Sequence, residues 1–347
     1  MQSFESFEQL SECLFDFPKA SHAYQSRARR RQKNLTKPPG SLGRLEELAV
    51  WLAGWQQREC PKLERVHTLI FAGNHGVAQR GVSAFPPSVT EQMVRNFTAG
   101  GAAINQLCQT YESKLNVIPL HLDQPTQDFT SGPAMSREEC TDAVNRGVAA
   151  VPGDADLVLL GEMGIGNTTV AAAMAAALFG GLPGEWVGPG TGVNSEGLAH
   201  KSDIVQQGLD HHRESLKSPF DVLRCFGGRE QAALVGAIIG ARNQSIPILL
   251  DGFIVCAAAS ILSALESTYL DHCRVAHNSA EPGHEKLLRS LDKTAIFDLD
   301  LRLGEASGAA LALGILRGAI ACHNGMAQFE EAAVDKKIEP DTSARDD

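Results

Sequence analysis

The chain reads as an α/β protein with a mostly parallel sheet covered by helices on both faces. Three observations predict this. Short apolar runs of strand length occur at 66–72, 115–120, 157–160 and 246–250. Stretches of helical length separate several of them, and that alternation implies a parallel sheet. At 347 residues, with 43% hydrophobic and 21% charged side chains, the chain is globular and long enough for a large core. Aromatics are only 6% while glycine reaches 33, so that core must be built from aliphatic and small side chains.

In order, residues 1–36 are polar and spotted with aromatics, and predict a few helices. Residues 36–48 are a turn running into a helix, with Leu42, Leu45, Leu48 and Leu52 at helical spacing. Val66–Ala72 is a buried strand ending in Gly73-Asn74-His75-Gly76-Val77. A helix over 88–109 is weakened by Gly100-Gly101. Then come a strand at 115–120, a helix at 137–150, a short strand at 157–160 and an alanine-rich helix at 168–179. A strand at 246–250 feeds a helix at 253–265. Residues 295–299 read as a strand end before a small-residue helix that reaches Ala321. Residues 1–60 are expected to form part of a smaller helical domain, 61–321 the α/β catalytic domain, and 322–347 a segment returning to the small domain. The charged tail at 335–347 is expected to fray.

Several classes are disfavoured. Net charge is −10, and no basic patch exceeds 27–33, which reads as a solvated helix face, so nucleic acid is not expected as a partner. Eight cysteines include no C-x-x-C, and eleven histidines no H-E-x-x-H, so no metal is expected. Reduced, mostly buried thiols in a cytoplasmic protein are expected. The start lacks the pattern of a signal peptide. The apolar stretch 246–265 is broken by Asp251 and reads as strand, turn and helix, so no membrane partner is expected.

Ligands of such sheets bind beyond the carboxyl ends of the strands. Four segments qualify. In Leu301-Arg302-Leu303-Gly304-Glu305-Ala306, Glu305 sits between small residues that let a ligand come close. It is either a proton acceptor or a residue favoured by the helix dipole in a first turn. Gly161-Glu162-Met163-Gly164-Ile165-Gly166-Asn167-Thr168-Thr169 lies between a strand and a helix and suits a phosphate. It is neither G-x-G-x-x-G nor G-x-x-x-x-G-K-[ST]. Its simpler reading is a tight turn with Asn167 or Thr168 as helix cap. Gly188-Pro189-Gly190-Thr191-Gly192-Val193, with Lys201 beyond it, is a candidate anion nest, or a loop beside a solvated lysine. The fourth, Ala276-His277-Asn278-Ser279-Ala280-Glu281-Pro282-Gly283-His284, fits no standard metal pair and reads as a surface loop.

Taken together the chain resembles the nicotinate-nucleotide:dimethylbenzimidazole phosphoribosyltransferases of cobalamin lower-ligand synthesis. The matching segments are 36–46 (TKPPGSLGRLE), 73–77 (GNHGV), 89–94 (VTEQMV), 161–169, 188–193, 250–253 (LDGF), 279–284 (SAEPGH) and 301–310 (LRLGEASGAA). Singly each is weak; in order, across 36–310, they are strong. The resemblance implies a Rossmann-like sheet with a smaller helical domain, usually in a homodimer, and no cofactor. It implies that nicotinate mononucleotide gives its phosphoribosyl group to a benzimidazole nitrogen, with inversion.

It also implies roles. Glu305 matches the catalytic base and Glu162 a second glutamate beside the reacting groups. Gly164, Gly166, Asn167, Thr168, Gly190, Thr191, Gly192 and Lys201 match the phosphoribosyl-binding region. Met163 and Leu303 match apolar lining beside the base, with Ser83 and Gln92 as further base-pocket candidates. Asn74, Ala306, Arg229 and Gln231 depart from the family pattern. The alternatives are a paralogue accepting a purine or a phenol, a nucleotide-binding oxidoreductase, and a non-catalytic nucleotide sensor.

Overall fold

The computed structural model describes residues 4–14 and 16–335. The expected tail at 335–347 lies, from 336 onward, outside the described residues. Five strands form one parallel sheet: β1 (Val66–Ala72), β2 (Lys114–Pro119), β3 (Leu157–Met163), β4 (Ile248–Leu250) and β5 (Cys273–Val275). Their spatial order is β2-β1-β3-β4-β5. The chain therefore winds outward in both directions from the β1/β3 pair. That topological switch point is where doubly wound sheets open a crevice at their carboxyl ends. The α/β class expected from the sequence is observed.

The central strands are apolar on both faces, with Leu157, Val158, Leu159 and Leu160 all fully buried. A strand covered on both sides reads as a continuous apolar run rather than an alternating one. Several of the helices around the central strands are themselves buried along nearly their whole length. In Asn167–Phe179, Val170, Ala171, Ala172, Ala173, Met174 and Ala175 are at most 1% exposed. Small side chains let these helices come close. The helix Arg137–Ala150 packs on Arg229–Asn243 at Gly147 and Gly236. A Cβ on Gly147 would run into the Ala233 carbonyl, and one on Gly236 into the Val144 carbonyl.

Two compact units emerge among the described residues. Residues 4–19 and 63–314 form the larger, and 20–62 with 315–335 the smaller. Residues 4–19 thus differ from the expected assignment of 1–60 to the small domain. Their side chains explain it: Phe7 stacks on Phe220 at 5.5 Å, and Phe4 exchanges two 2.8 Å hydrogen bonds with Asn145. The smaller unit contains helices His22–Asn34 and Arg44–Gln56 and the end of the long helix Ser307–Gly325. His323, fully buried, pairs its ring with Gln32 Nε2 at 2.8 Å and the Glu59 carbonyl at 2.9 Å.

Two sequence expectations change, and several elements are new. The helix over 88–109 is two helices, Ser88–Ala99 and Ala103–Thr110, because Gly100 turns left-handed at φ 83°. The strand at 295–299 shrinks to β7 (Phe297–Asp298), which pairs with β6 (His277–Asn278) in a separate sheet. Strand β5 and the helices Ser195–His212, Pro219–Phe226 and Arg229–Asn243 have no counterpart among the sequence expectations.

Gly236→Ala is expected to lower stability by roughly 1–3 kcal/mol, since the obstacle is backbone and the helices must separate. Gly318→Ala, on an exposed helical position with open space around its Cβ, is expected to raise it by roughly 0.5–1 kcal/mol. Denaturant midpoints at unchanged m-value measure both.

Candidate active site

The carboxyl ends of β1, β3 and β4 all open onto one side, and the segments after them converge there. A cleft of about 470 Å³ lies among them, within the ordinary range for a small-molecule site. Its wall includes Glu162 and Met163 from β3, Asn167 and Thr168 from the following helix, Asp251 after β4, and Leu303 and Glu305 from the last loop. Phe85, Val89 and Met93 close one side with apolar surface.

The Glu305 loop is held in an unusual conformation. Gly304, Glu305 and Ala306 have φ of 83°, 61° and 62°, and the Ser307 amide donates to the Gly304 carbonyl at 3.0 Å. This is a tight turn with both central residues left-handed, a position that favours glycine or asparagine. For Glu305 and Ala306 together the backbone cost is roughly 2–4 kcal/mol. The turn lies hard against β3. A Cβ on Gly161 would strike the Ala306 backbone, and one on Gly304 would sit 2.5 Å from Glu162 Oε1. Asp251 lies under the same turn, 1% exposed, with its Oδ1 accepting from the Ala309 amide at 2.9 Å.

The electrostatics are dominated by buried carboxyls. Burial pushes Glu305 up to about 7. Burial raises Asp251 to about 7 as well, against the pull of neighbouring amides. Glu162 is pushed well up, first by burial and then by the negative charge of Glu230 and Asp251, while a hydrogen bond from Asn167 Nδ2 opposes this. Glu281 is raised by burial, with Lys201 and the Gly190 amide pulling the other way. Glu305, raised to about 7 and standing on the cleft wall, can take up and release a proton near neutral pH, which suits acid–base work.

Lys201 is 1% exposed, so it is not the solvated lysine of the simpler reading. Its Nζ donates to Thr168 Oγ1 at 3.0 Å and the Gly188 carbonyl at 2.7 Å, and burial lowers it to about 8. The 188–192 loop is not an open nest: the Gly190 amide donates to Glu281 Oε1 at 2.9 Å. The Gly190 carbonyl accepts from Arg302 at 3.0 Å. Gly166 is the N-cap of the Asn167–Phe179 helix, at φ 93°, so neither Asn167 nor Thr168 is the cap.

The structure brings together on the cleft wall Glu162, Met163, Gly164, Asn167, Thr168, Gly190, Thr191, Leu303 and Glu305. Gly166, Gly192, Lys201, Ser83 and Gln92 stand outside that wall. Lys201 reaches it through Thr168, and Ser83 through Thr191, whose hydroxyl lies 3.0 Å from Ser83 Oγ. Gln92 is exposed, and its neighbour Met93 is the residue that lines the cleft.

Sequence reasoning missed Asp251, His277, Glu281 and Arg302. The 276–284 segment is not a surface loop: His277, Glu281 and His284 are 1%, 5% and 0% exposed. It is drawn inward by β6, and by the Ser279 amide, which donates to His284 Nδ1 at 2.8 Å. Of the departures, Arg229 and Gln231 are buried structural residues. Arg229 pairs with Glu139 at 2.6 Å, and Gln231 accepts from the Gly228 amide. Among the described residues, no group of three or more His, Cys, Asp or Glu is arranged to hold a metal ion.

Comparison with known proteins fits this geometry. A family model described as "Phosphoribosyltransferase" matches residues 17–334. The nicotinate-nucleotide–dimethylbenzimidazole phosphoribosyltransferase of Rhizobium rhizogenes is 52% identical over 331 residues, covering 95% of this chain and 98% of that protein. The protein of the same name from Jannaschia sp. is 55% identical over 312 residues, covering 90% of this chain and 93% of its own length. A crystal structure of the Thermus thermophilus enzyme of that name superposes with a TM-score of 0.85 at 38% identity, covering 91% of this chain and all of that one. With such identity along nearly its whole length, the chain belongs to the nicotinate-nucleotide–dimethylbenzimidazole phosphoribosyltransferase family.

Proposed function

We propose that this protein transfers the phosphoribosyl group of nicotinate mononucleotide to 5,6-dimethylbenzimidazole, with Glu305 as general base. The supporting observation is a carboxyl of near-neutral proton affinity on the wall of an apolar-sided cleft, in a chain that matches this family from 17 to 334. The unprotonated benzimidazole nitrogen attacks C1′ from the face opposite the nicotinate. The C1′–N bond breaks and its electron pair leaves with the pyridine nitrogen. The N–H proton of the new benzimidazolium passes to Glu305, and α-ribazole 5′-phosphate and nicotinate remain.

The surroundings favour that course. Positive charge developing on the ribosyl carbon is favoured by the ionised Glu305 carboxylate on the cleft wall. Met163 and Leu303 supply apolar surface for the flat base, and the sulfur adapts its contact to an aromatic edge. Lys201 and the start of the Asn167–Phe179 helix supply positive potential for the 5′-phosphate. A cytoplasmic homodimer belongs to the same reading: the dimer is what the family resemblance implies, and the compartment follows from the cysteine pattern. Five of the eight free thiols are buried, as suits a reducing compartment. Sedimentation of the full chain tests the dimer.

Glu305→Gln keeps the side-chain shape and removes the proton acceptor. It is expected to lower kcat by about 10²- to 10⁴-fold, the range for a lost general base, with the KM for nicotinate mononucleotide little changed. A wild-type kcat in single-turnover assays would reduce Glu305 to a turn residue. Running a panel of bases with product mass spectrometry tells dimethylbenzimidazole from a purine or a phenol as the preferred acceptor.

Lys201→Ala is expected to raise the KM for nicotinate mononucleotide at least tenfold, about 1.4 kcal/mol of lost phosphate binding, and the KM for the base far less. Equal effects on both substrates refute the phosphate assignment.

The raised Glu305 carboxyl also makes a stability prediction. Its folded value, about 7, lies above the ordinary carboxylate value, so the folded chain binds this proton more tightly than the unfolded one. Its contribution is fully present at acid pH and is lost as pH rises from the ordinary carboxylate range through about 7. Glu305→Gln is therefore expected to stabilise the fold at pH 8 relative to wild type, by roughly 1–3 kcal/mol, and much less near pH 4.5. Parallel thermal melts at the two pH values measure it.

A further inference from the structure

Asp251 is absent from the sequence-derived roles, yet its carboxylate takes backbone amides from the Glu305 turn and the helix after it. It follows β4 directly and is 1% exposed. The Ala309 amide donates to its Oδ1 at 2.9 Å, and the amides of Ala306 and Gly308 face the same carboxylate. Those of Gly308 and Ala309 belong to the first turn of the Ser307–Gly325 helix and have no partner within the helix itself, while that of Ala306 belongs to the left-handed turn before it. On its other side His277 Nε2 lies 3.7 Å away, with the ring wedged where side chains on Gly252 and Gly308 would collide.

Two facts then need one another. The turn at 304–307 is left-handed at two non-glycine residues, which on its own relaxes to an ordinary φ. The carboxylate beneath it collects amides that point the right way only while the turn keeps that shape. A carboxylate holds such amides more strongly than a neutral acceptor.

We propose that Asp251 is a positioning residue, which locks the left-handed turn that aims Glu305 into the cleft by accepting the amides that open the following helix. This rests on the reading of Glu305 as the base. Asp251 takes no proton from substrate in this account; it sets where the proton acceptor stands.

The test uses the full-length enzyme with nicotinate mononucleotide and dimethylbenzimidazole. Assayed at pH 8, above the value of about 7 to which burial raises Asp251, Asp251→Asn keeps the shape and removes the charge. It is expected to cut kcat by about 10²-fold, the scale of an ångström-sized misplacement, with the KM for nicotinate mononucleotide within about twofold of wild type. The same substitution made on an Ala306→Gly background should cost several-fold less, because glycine adopts the left-handed conformation freely. A purely structural role would not depend on residue 306 in that way.

An Asp251→Asn enzyme with wild-type kcat overturns the inference. So does an equal loss in both backgrounds, or a loss carried by the donor KM, which would make Asp251 a substrate contact. If Asp251→Asn does not fold, Asp251→Glu carries the test, since it keeps the charge but shifts it by one methylene; unchanged kcat there also overturns the inference. Glu305→Gln assayed alongside separates the two ideas. If it loses kcat while Asp251→Asn does not, only the Asp251 inference fails. If it keeps wild-type kcat, the base assignment fails and this inference with it.

Discussion

The nearness of the Gly304–Ala306 backbone to β3 constrains the whole carboxyl edge of the sheet. β3 pairs with both β1 and β4, so it is the strand around which the crevice opens. A side chain on Gly161 would lift the turn off the strand, and one on Gly304 would press on Glu162. Two glycines and one strained turn thus set the spacing between two carboxyls and the floor of the cleft. The strain is tolerable because the segment is bounded on one side by a core strand and continues on the other into a helix with a buried first turn, where Ala309, Ala310 and Ala312 are fully buried.

The same compactness accounts for the electrostatics. Glu162, Asp251, Glu281 and Glu305 are each about 5% exposed or less. Carboxyls crowded out of water cannot all be ionised together near neutral pH. Lys201 is the buried cation beside Glu281, and Arg302 sits at the rim. A cleft of this kind favours ligands that bring positive charge to the carboxyl side and negative charge to the lysine side. A pyridinium nucleotide carries both on one molecule.

Much of this was legible in the sequence. The apolar runs at Val66–Ala72 and 157–160 announce central strands because strands covered on both faces need no alternation. Glu162 and Glu305 stand out because each is a lone carboxylate among glycines at a strand-to-helix junction. Asp251 was visible as a break in an apolar stretch and as part of the 250–253 match, with no role attached; that it collects amides from a segment more than fifty residues away is a tertiary fact. His277 and Glu281 looked like a polar surface loop because the contacts that bury them are distant in sequence, the β6–β7 pairing for His277 and the Gly190 amide for Glu281. The Arg229–Asn243 helix was missed because its first turn, Arg229-Glu230-Gln231, looks solvated; the structure buries those groups against Glu139, His75 and the Gly228 amide. A polar residue directly after an apolar strand is the signal that was available for Asp251.

The scarcity of aromatic side chains has an optical consequence. Among the described residues that line the cleft there is neither tryptophan nor tyrosine; its rings are Phe85, Phe253 and His277. The indoles lie elsewhere, Trp186 in the core of the larger unit and Trp51 and Trp55 in the smaller. A flat heterocycle entering this cleft therefore meets thioether and aliphatic surface, and no indole changes its surroundings. Intrinsic tryptophan emission is a poor reporter of occupancy in this protein. The spectrum of the bound heterocycle itself, moved from water into a low-polarity slot, is where the signal lies.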